Sequence, residues 1–248
     1  SIAQHLSRST RRVALALLLA CLVVAPALAL DPQLALSQYR VARWTVADGL
    51  PHGSISALHQ DRDGFLWIGT YRGAVRFDGA RFLPLSALVD GAIEPDLVET
   101  IGQTDDGVLW FGGTHTDLLA LAPDGRLQRY GPAQGLAARH VTLLHTDSHG
   151  QRWLGTGSGL LRMQGAWDHL RFEPELAQTV WQLAEDRDGA LIAATENGPW
   201  RRASDGWHPL PEDGSLSHLH VWSIESDGAD GWWFGFRGGL MHSTPDGQ

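Results

Sequence analysis

Lysine is absent from this sequence, and cysteine occurs only once, at Cys21. All 19 basic residues are therefore arginine, and 28 acidic residues give the chain a formal net charge of −9. A surface this acidic repels phosphate backbones and anionic lipids, so nucleic acid is not an expected partner. With one thiol the chain cannot form an internal disulfide framework or a Cys-ligated metal site.

Long apolar runs are also missing. The longest, residues 13–25, has 13 residues, whereas a membrane-spanning helix needs about 20. It follows Arg8, Arg11 and Arg12 and precedes a small-residue ending at Ala29, which is the layout of a secretory signal peptide. We therefore predict a signal peptide over 1–29, a linker over 30–40 and export from the cytoplasm. An uncleaved membrane anchor, or a lipoprotein processed at Cys21, are the alternatives.

Tryptophan and glycine are abundant, with 11 and 29 residues, and they mark a repeat. The string from Asp61 to Thr70, with its Asp-x-Asp-Gly turn and Trp-x-Gly-Thr ending, recurs with variations along the chain. Equivalent positions are separated by 43, 43, 39 and 41 residues. They are Trp67, Trp110, Trp153, Ile192 and Trp233. A large side chain at this position can fill the space between adjacent sheets, so we predict that these residues form the structural core of the repeats.

Four of the five repeats contain two Asp-Gly pairs at hairpin turns. Together with four short alternating segments in each unit, this predicts four antiparallel strands in about 40 residues. That is the size of one propeller blade. The predicted fold is an all-β propeller over 41–248 with about five repeats. The predicted blades span 55–85, 98–130, 141–172, 180–210 and 221–248.

Metal and catalytic motifs are weak. Asp61 and Asp186 begin strings that resemble the start of a calcium loop, but the rest of such a loop would fall in strand residues, and a hairpin turn explains them better. The twelve His residues include the close pair His218 and His220, without a third ligand at a suitable spacing. We therefore predict no catalytic residue, no metal and no cofactor.

One end of the predicted blades varies between repeats. It carries the loops that join strands two and three and strands four and one, while the uniform Asp-Gly turns lie at the other end. A mixture of aromatic, basic and carboxylate groups there suits a polar ligand or a partner loop. The candidates are His52, Tyr71, Arg72, His115, Arg139, His140, Glu196, Asn197, His218 and Arg237.

Three motifs together resemble a known family: Asp48-Gly49-Leu50-Pro51, the string from Gln60 to Thr70, and Arg76-Phe77-Asp78-Gly79. They are similar to the two-component regulator propeller family. The match is weaker in the fourth repeat, where Ile192 replaces Trp and Ala194 replaces Gly, and in the fifth, which is one residue shorter before Trp233.

The resemblance implies a periplasmic sensor region of an inner-membrane signalling protein. Its output module, a histidine kinase or a diguanylate cyclase, would lie outside this chain, as would any region through which a homodimer forms. We therefore expect a ligand-sensing or interaction propeller with no enzymatic activity of its own. The alternatives are a secreted propeller enzyme, such as a lyase or glycosidase, and a structural scaffold.

The segment around Trp44 aligns with the segment around Tyr130 at an offset of 86. Tyr130 ends a predicted fourth strand, so Trp44 is expected to end a fourth strand that lacks its first three. This strand could complete the fifth blade and close a five-bladed ring. Because the resemblance implies a larger ring, we expect instead an incomplete ring and a chain that is a fragment.

Overall fold

The computed structural model describes residues 41–89, 97–115, 117–138, 140–229 and 231–244. The predicted signal peptide and linker lie outside them. Residues from Trp44 onward belong to one compact unit, and its strands form five separate antiparallel sheets in chain order. Four sheets have four strands and the fifth has three among the described residues. This confirms the predicted all-β fold of propeller blades.

Each sheet is an up-and-down meander whose strands pair with their neighbours in sequence. The first contains β1 (Ile55–Gln60), β2 (Leu66–Thr70), β3 (Gly73–Phe77) and β4 (Phe82–Pro84), followed by a short helix α1 (Leu85–Leu88). The second contains β5 (Thr100–Gln103), β6 (Leu109–Gly112), β7 (Leu118–Leu121) and β8 (Leu127–Tyr130). The third contains β9 (Val141–Thr146), β10 (Arg152–Thr156), β11 (Gly159–Gln164) and β12 (Arg171–Leu176). The fourth contains β13 (Val180–Glu185), β14 (Leu191–Thr195), β15 (Gly198–Ala203) and β16 (Gly206–Pro209). The fifth contains β17 (Val221–Ser226), β18 (Trp232–Phe236) and β19 (Gly239–Ser243).

The core lies between successive sheets. Trp67, Trp110, Trp153 and Ile192 are all at most 2% exposed, and each packs into a cluster with residues of the following sheet. Trp67, for example, meets the ring of Phe111 edge-on at 5.1 Å. Trp233 occupies the same position in β18, but it is 39% exposed and stacks on His242 at 4.1 Å.

The repeated Asp secures both its turn and the Trp. In the first sheet, Asp61 Oδ1 accepts from the backbone N–H groups of Asp63 and Phe65, while Oδ2 accepts from Trp67 Nε1 at 2.7 Å. Asp147 and Trp153 repeat the indole bond at 2.9 Å. Both carboxylate oxygens of Asp61 are thus engaged by protein groups. This structural role explains the Asp-x-Asp-Gly string without calcium.

Glycine two residues after the Trp allows the sheets to approach closely. A Cβ on Gly69 would lie 2.6 Å from the backbone oxygen of Val98, in the segment that leads into β5 of the second sheet. That is far inside van der Waals contact, so a larger residue here would push the two sheets apart.

The five sheets do not close into a ring within the described residues. Successive first strands contact one another from β1 to β17, whereas β17 and β1 show no comparable contact. Leu58 on β1 is 65% exposed, while its equivalents Leu183 and Ile224 are buried against preceding sheets.

The fourth strand that we predicted at Trp44 is not formed in the described residues, because no neighbouring strand pairs with it there. Trp44 instead packs edge-on against Phe77 at 5.0 Å. The alignment of the Trp44 segment with the Tyr130 segment does hold for the residues that follow each of them. Val46–Asp48 and Pro132–Gln134 are both 3₁₀ turns, and each is followed by a glycine with positive φ. Val46–Asp48 therefore corresponds to the connection that follows β8 in the second sheet.

Candidate functional site

The loop face is the end of the sheets opposite the Asp-Gly turns. The candidates predicted there lie in the connections between second and third strands, or between one sheet and the next. Arg139 lies outside the described residues. Tyr71, Arg72, His115, Glu196, Asn197, His218 and Arg237 are exposed, and His52 and His140 are half-buried.

The structure brings only some of these candidates together. The rings of His52 and Tyr71 stack at 5.7 Å with an interplanar angle of 5°. Glu196 Oε1 accepts from the backbone N–H of Thr179, and Asn197 N donates to Thr195 Oγ1. These last two residues therefore help to hold the connections of the fourth sheet. Among the candidates that the structure describes, only His140 joins a larger cluster.

That cluster is a row of alternating histidine and tryptophan side chains, which we call the histidine–tryptophan row: His140, Trp181, His220 and Trp222. The ring centroids are 6.2 Å apart for the first pair, 5.9 Å for the second and 5.5 Å for the third. At its first end, His140 Nε2 lies 3.3 Å from Glu99 Oε2. At its other end, Trp222 is 58% exposed. The row thus crosses the loop-face ends of the third, fourth and fifth sheets.

A β-bulge presents both indoles. The pairing register skips Trp181 in β13 and Trp222 in β17, so neither has an opposing residue on the adjacent strand. A bulge of this kind re-aims a side chain. The same position in β9 holds Thr142, whose hydroxyl donates to the carbonyl of Val180 at 2.6 Å. In the fourth and fifth sheets this small tie between sheets is replaced by a large aromatic surface.

Hydrogen bonds orient the polar members of the row. Trp181 Nε1 donates to His220 Nε2 at 3.1 Å, so Nε2 is the acceptor nitrogen of this ring. Glu99 Oε2 accepts from Thr114 Oγ1 at 2.6 Å as well as lying beside His140. Flat indole faces beside a carboxylate and imidazoles can stack on a planar ligand, attract a cation and exchange hydrogen bonds with it.

Sequence reasoning missed Glu99, Trp181, His220 and Trp222. A signal was available, because Trp181 and Trp222 occupy the same place in successive repeats, each directly after the valine that opens a first strand. His220 similarly precedes its strand as His140 does. In the described part of the chain, no three His, Cys, Asp or Glu side chains are grouped so that they could hold a metal ion.

The model of the two component regulator propeller family matches residues 49–72. This stretch contains the connection after Gly49, then β1, the Asp61 turn and β2. The chain carries a two-component regulator propeller repeat. The four other sheets of the chain have the same strand order, apart from the fourth strand of the last, which is not among the described residues. A comparison with curated protein sequences finds no match.

Several solved structures share the propeller fold of this chain. The extracellular domain of the hybrid two component system BT3049 from B. thetaiotaomicron is 19% identical, with a TM-score of 0.52 over 84% of this chain and 35% of that one. Virginiamycin B lyase from Staphylococcus aureus is 14% identical, with a TM-score of 0.59 over 81% of this chain and 70% of that one. PorZ, a surface component of the type-IX secretion system of Porphyromonas gingivalis, is 14% identical, with a TM-score of 0.56 over 78% and 32%. The chain thus spans about a third of the length of two of these proteins.

These similarities concern the fold, which hosts unrelated functions. Within the described residues, no helix is long and apolar enough to cross a membrane.

Proposed function

We propose that this regulator propeller is the extracytoplasmic input region of a transmembrane signalling protein and that it acts by binding rather than by catalysis. The family match supports this proposal, and the structurally similar BT3049 domain is the extracellular part of a hybrid two component system. The N-terminal signal-peptide pattern is consistent with an extracytoplasmic location.

The histidine–tryptophan row is the observation that carries the proposal. Its members come from three sheets: His140 from the third, Trp181 from the fourth, and His220 with Trp222 from the fifth. A polar ligand or partner loop that stacks on Trp222 and reaches Trp181 would therefore contact more than one blade. If it binds one spacing of these sheets better than another, it shifts the population toward that spacing, which is the requirement for a signal.

The test is made on the full-length protein in its own cell. Transcript profiles of strains that carry the wild type, Trp181→Ala, Trp222→Ala or a gene deletion are compared across defined growth conditions. Asp63→Ala is the matched control, because Asp63 is exposed on the Asp-Gly face. We expect both Trp variants to reproduce the deletion profile and Asp63→Ala to match the wild type. Arg72→Ala and Arg237→Ala should weaken the response without lowering the melting temperature.

Immunoblots of the exported fraction establish that each variant is present at the wild-type level. If both Trp variants respond normally while Asp63→Ala does not, the loop face is not the binding surface and the proposal fails.

A further inference from the structure

One hydrogen bond of the histidine–tryptophan row depends on the charge of a histidine. Trp181 Nε1 donates to His220 Nε2 at 3.1 Å, and both rings are half-buried. A neutral imidazole has one acceptor nitrogen, whereas an imidazolium carries a proton on both nitrogens and can only donate. The bond therefore exists while His220 is neutral, and it is lost when the ring gains a proton.

His220 differs from the histidines of this chain that lie beside a carboxylate. In those pairs protonation strengthens the contact, because the charged ring attracts the carboxylate more strongly than the neutral ring does. The pairs include His140 with Glu99, His169 with Asp168, His208 with Asp205 and His242 with Asp227. Among the described residues, no carboxylate pairs with the ring of His220. Protonation thus removes a contact at His220, whereas it strengthens one at each of these other rings.

The charged and titratable groups around His220 come from its own segment and from the elements packed beside it. They are His218 before it, Arg237 after β18, Glu196 after β14, and His140 with Glu99 across Trp181. Arg237 contacts His220 through the backbone, since its N–H donates to the His220 carbonyl at 3.2 Å. Glu196 accepts from the backbone N–H of Thr179. Because histidine is the side chain whose charge ordinarily changes between about pH 5 and 8, imidazoles are the groups through which the row can respond to pH in that range.

The bond to His220 orients the indole of Trp181. This Trp lies in the bulge of β13, so it has no opposing residue on the adjacent strand. Its ring instead lies between those of His140 and His220. With His220 protonated, an indole N–H would face an imidazolium N–H across the same 3.1 Å, and two donors cannot satisfy each other. One of the two rings must then turn, which opens the row between the fourth and fifth sheets.

We propose that His220 is a positioning residue that couples the histidine–tryptophan row to pH: its neutral ring holds the indole of Trp181 in place, and its protonated ring releases it. Binding on the row then weakens as the pH falls through the range in which imidazoles gain a proton. This consequence for binding rests on the proposed function, in which a ligand or partner loop stacks on Trp222 and reaches Trp181. The release of the indole is a property of this chain alone.

The release is measured by NMR on the exported chain, in which isotope-labelled tryptophan gives each of the 11 indole N–H groups one resonance. Trp181→Phe assigns the Trp181 resonance, which we expect to shift between about pH 8 and about pH 5. His220→Gln supplies an amide oxygen that accepts at every pH in this range, so the shift should disappear. His140→Gln is the matched control, because it removes the other imidazole beside Trp181 and should leave the shift in place.

Far-UV circular dichroism establishes that each chain stays folded over the same pH range. A wild-type Trp181 resonance that does not shift overturns the proposal, and so does a shift that persists in a folded His220→Gln. A shift that disappears in His140→Gln also overturns it, because His140 would then be the group that titrates. If His220→Gln does not fold, the wild type and His140→Gln decide the question.

The consequence for binding is measured on the full-length protein in its own cell, by transcript profiles in media at about pH 7.5 and about pH 5.5, which span the ordinary imidazole transition. The wild-type response should be about fivefold weaker at the lower pH, the factor that one hydrogen bond typically contributes. His220→Gln should respond equally at both. Equal wild-type responses, with Trp181→Ala still matching the gene deletion, overturn the coupling to pH and leave the proposed function intact. A normal response of Trp181→Ala overturns the proposed function and this consequence together.

Discussion

Trp67 and Trp233 occupy the same position in two repeats, but we expect them to contribute differently to the free energy of unfolding. Trp67 is 2% exposed and donates a hydrogen bond to Asp61, whereas Trp233 is 39% exposed and stacks on His242. Truncating a buried Trp costs about 3–5 kcal/mol, and the Asp61 oxygen that loses its donor adds about 1–3 kcal/mol. Trp67→Ala should therefore lower the free energy of unfolding by about 4–8 kcal/mol. Trp233→Ala loses one exposed aromatic pair, worth about 0.5–1.5 kcal/mol.

Trp67→Phe separates packing from hydrogen bonding, since it keeps a ring against Phe111 but removes the indole N–H. Its expected cost is about 1–3 kcal/mol, mostly from the unsatisfied carboxylate of Asp61. The measurement is urea unfolding followed by far-UV circular dichroism, with midpoints compared at a constant slope. In a double-mutant cycle, Asp61→Asn should cost less in the Trp67→Phe background than in the wild type. Equal losses for Trp67→Ala and Trp233→Ala would refute the reasoning.

Three further predictions follow from other parts of the chain. Export should cleave the chain between Ala29 and Leu30, and a periplasmic form whose mass still includes the apolar run would contradict this. Gly69→Ala should destabilise by about 1–3 kcal/mol, because its Cβ would meet backbone of the second sheet. Gly53→Ala, which has open space around it, should be near neutral in the same urea assay. Burial holds the pKa of His145 below its ordinary 6.5 despite neighbouring carboxylates. The stability that the neutral ring contributes is present above pH 6.5 and is lost as the pH falls through the folded-state pKa. His145→Gln should therefore flatten the plot of unfolding free energy against pH in that range. An unchanged plot would contradict this prediction.

The repeat made the fold predictable. A Trp recurs at nearly constant spacing, with a hairpin turn before it and a Gly after it, because each sheet packs against the next in the same way. The sequence therefore revealed the strands, their hairpins and the inter-sheet role of Trp67, Trp110 and Trp153. It could not reveal that Trp233 is exposed, because burial depends on whether another sheet covers that face.

The candidate site was harder to predict for a physical reason. Loop residues such as His115 and His218 were chosen by residue type and position, but side chains in loops converge only when the backbone directs them together. In the histidine–tryptophan row that direction comes from bulges within β13 and β17, which are invisible in the alternation of the sequence. His140 was found because it lies next to a strand, and Trp181 was missed because it lies inside one.

A comparison of the repeats separates residues that stabilise the fold from residues that form the candidate site. A side chain that recurs in several sheets meets a need that all of them share, such as the contact of Trp67 with the next sheet. A side chain that differs at an equivalent position is not explained by that shared need and requires another explanation. Trp181, in the place of the Thr142 that ties neighbouring sheets, gives up that tie and presents an aromatic surface instead. This change does not strengthen the tie between sheets, so binding, rather than stability, best explains the tryptophan that is present there.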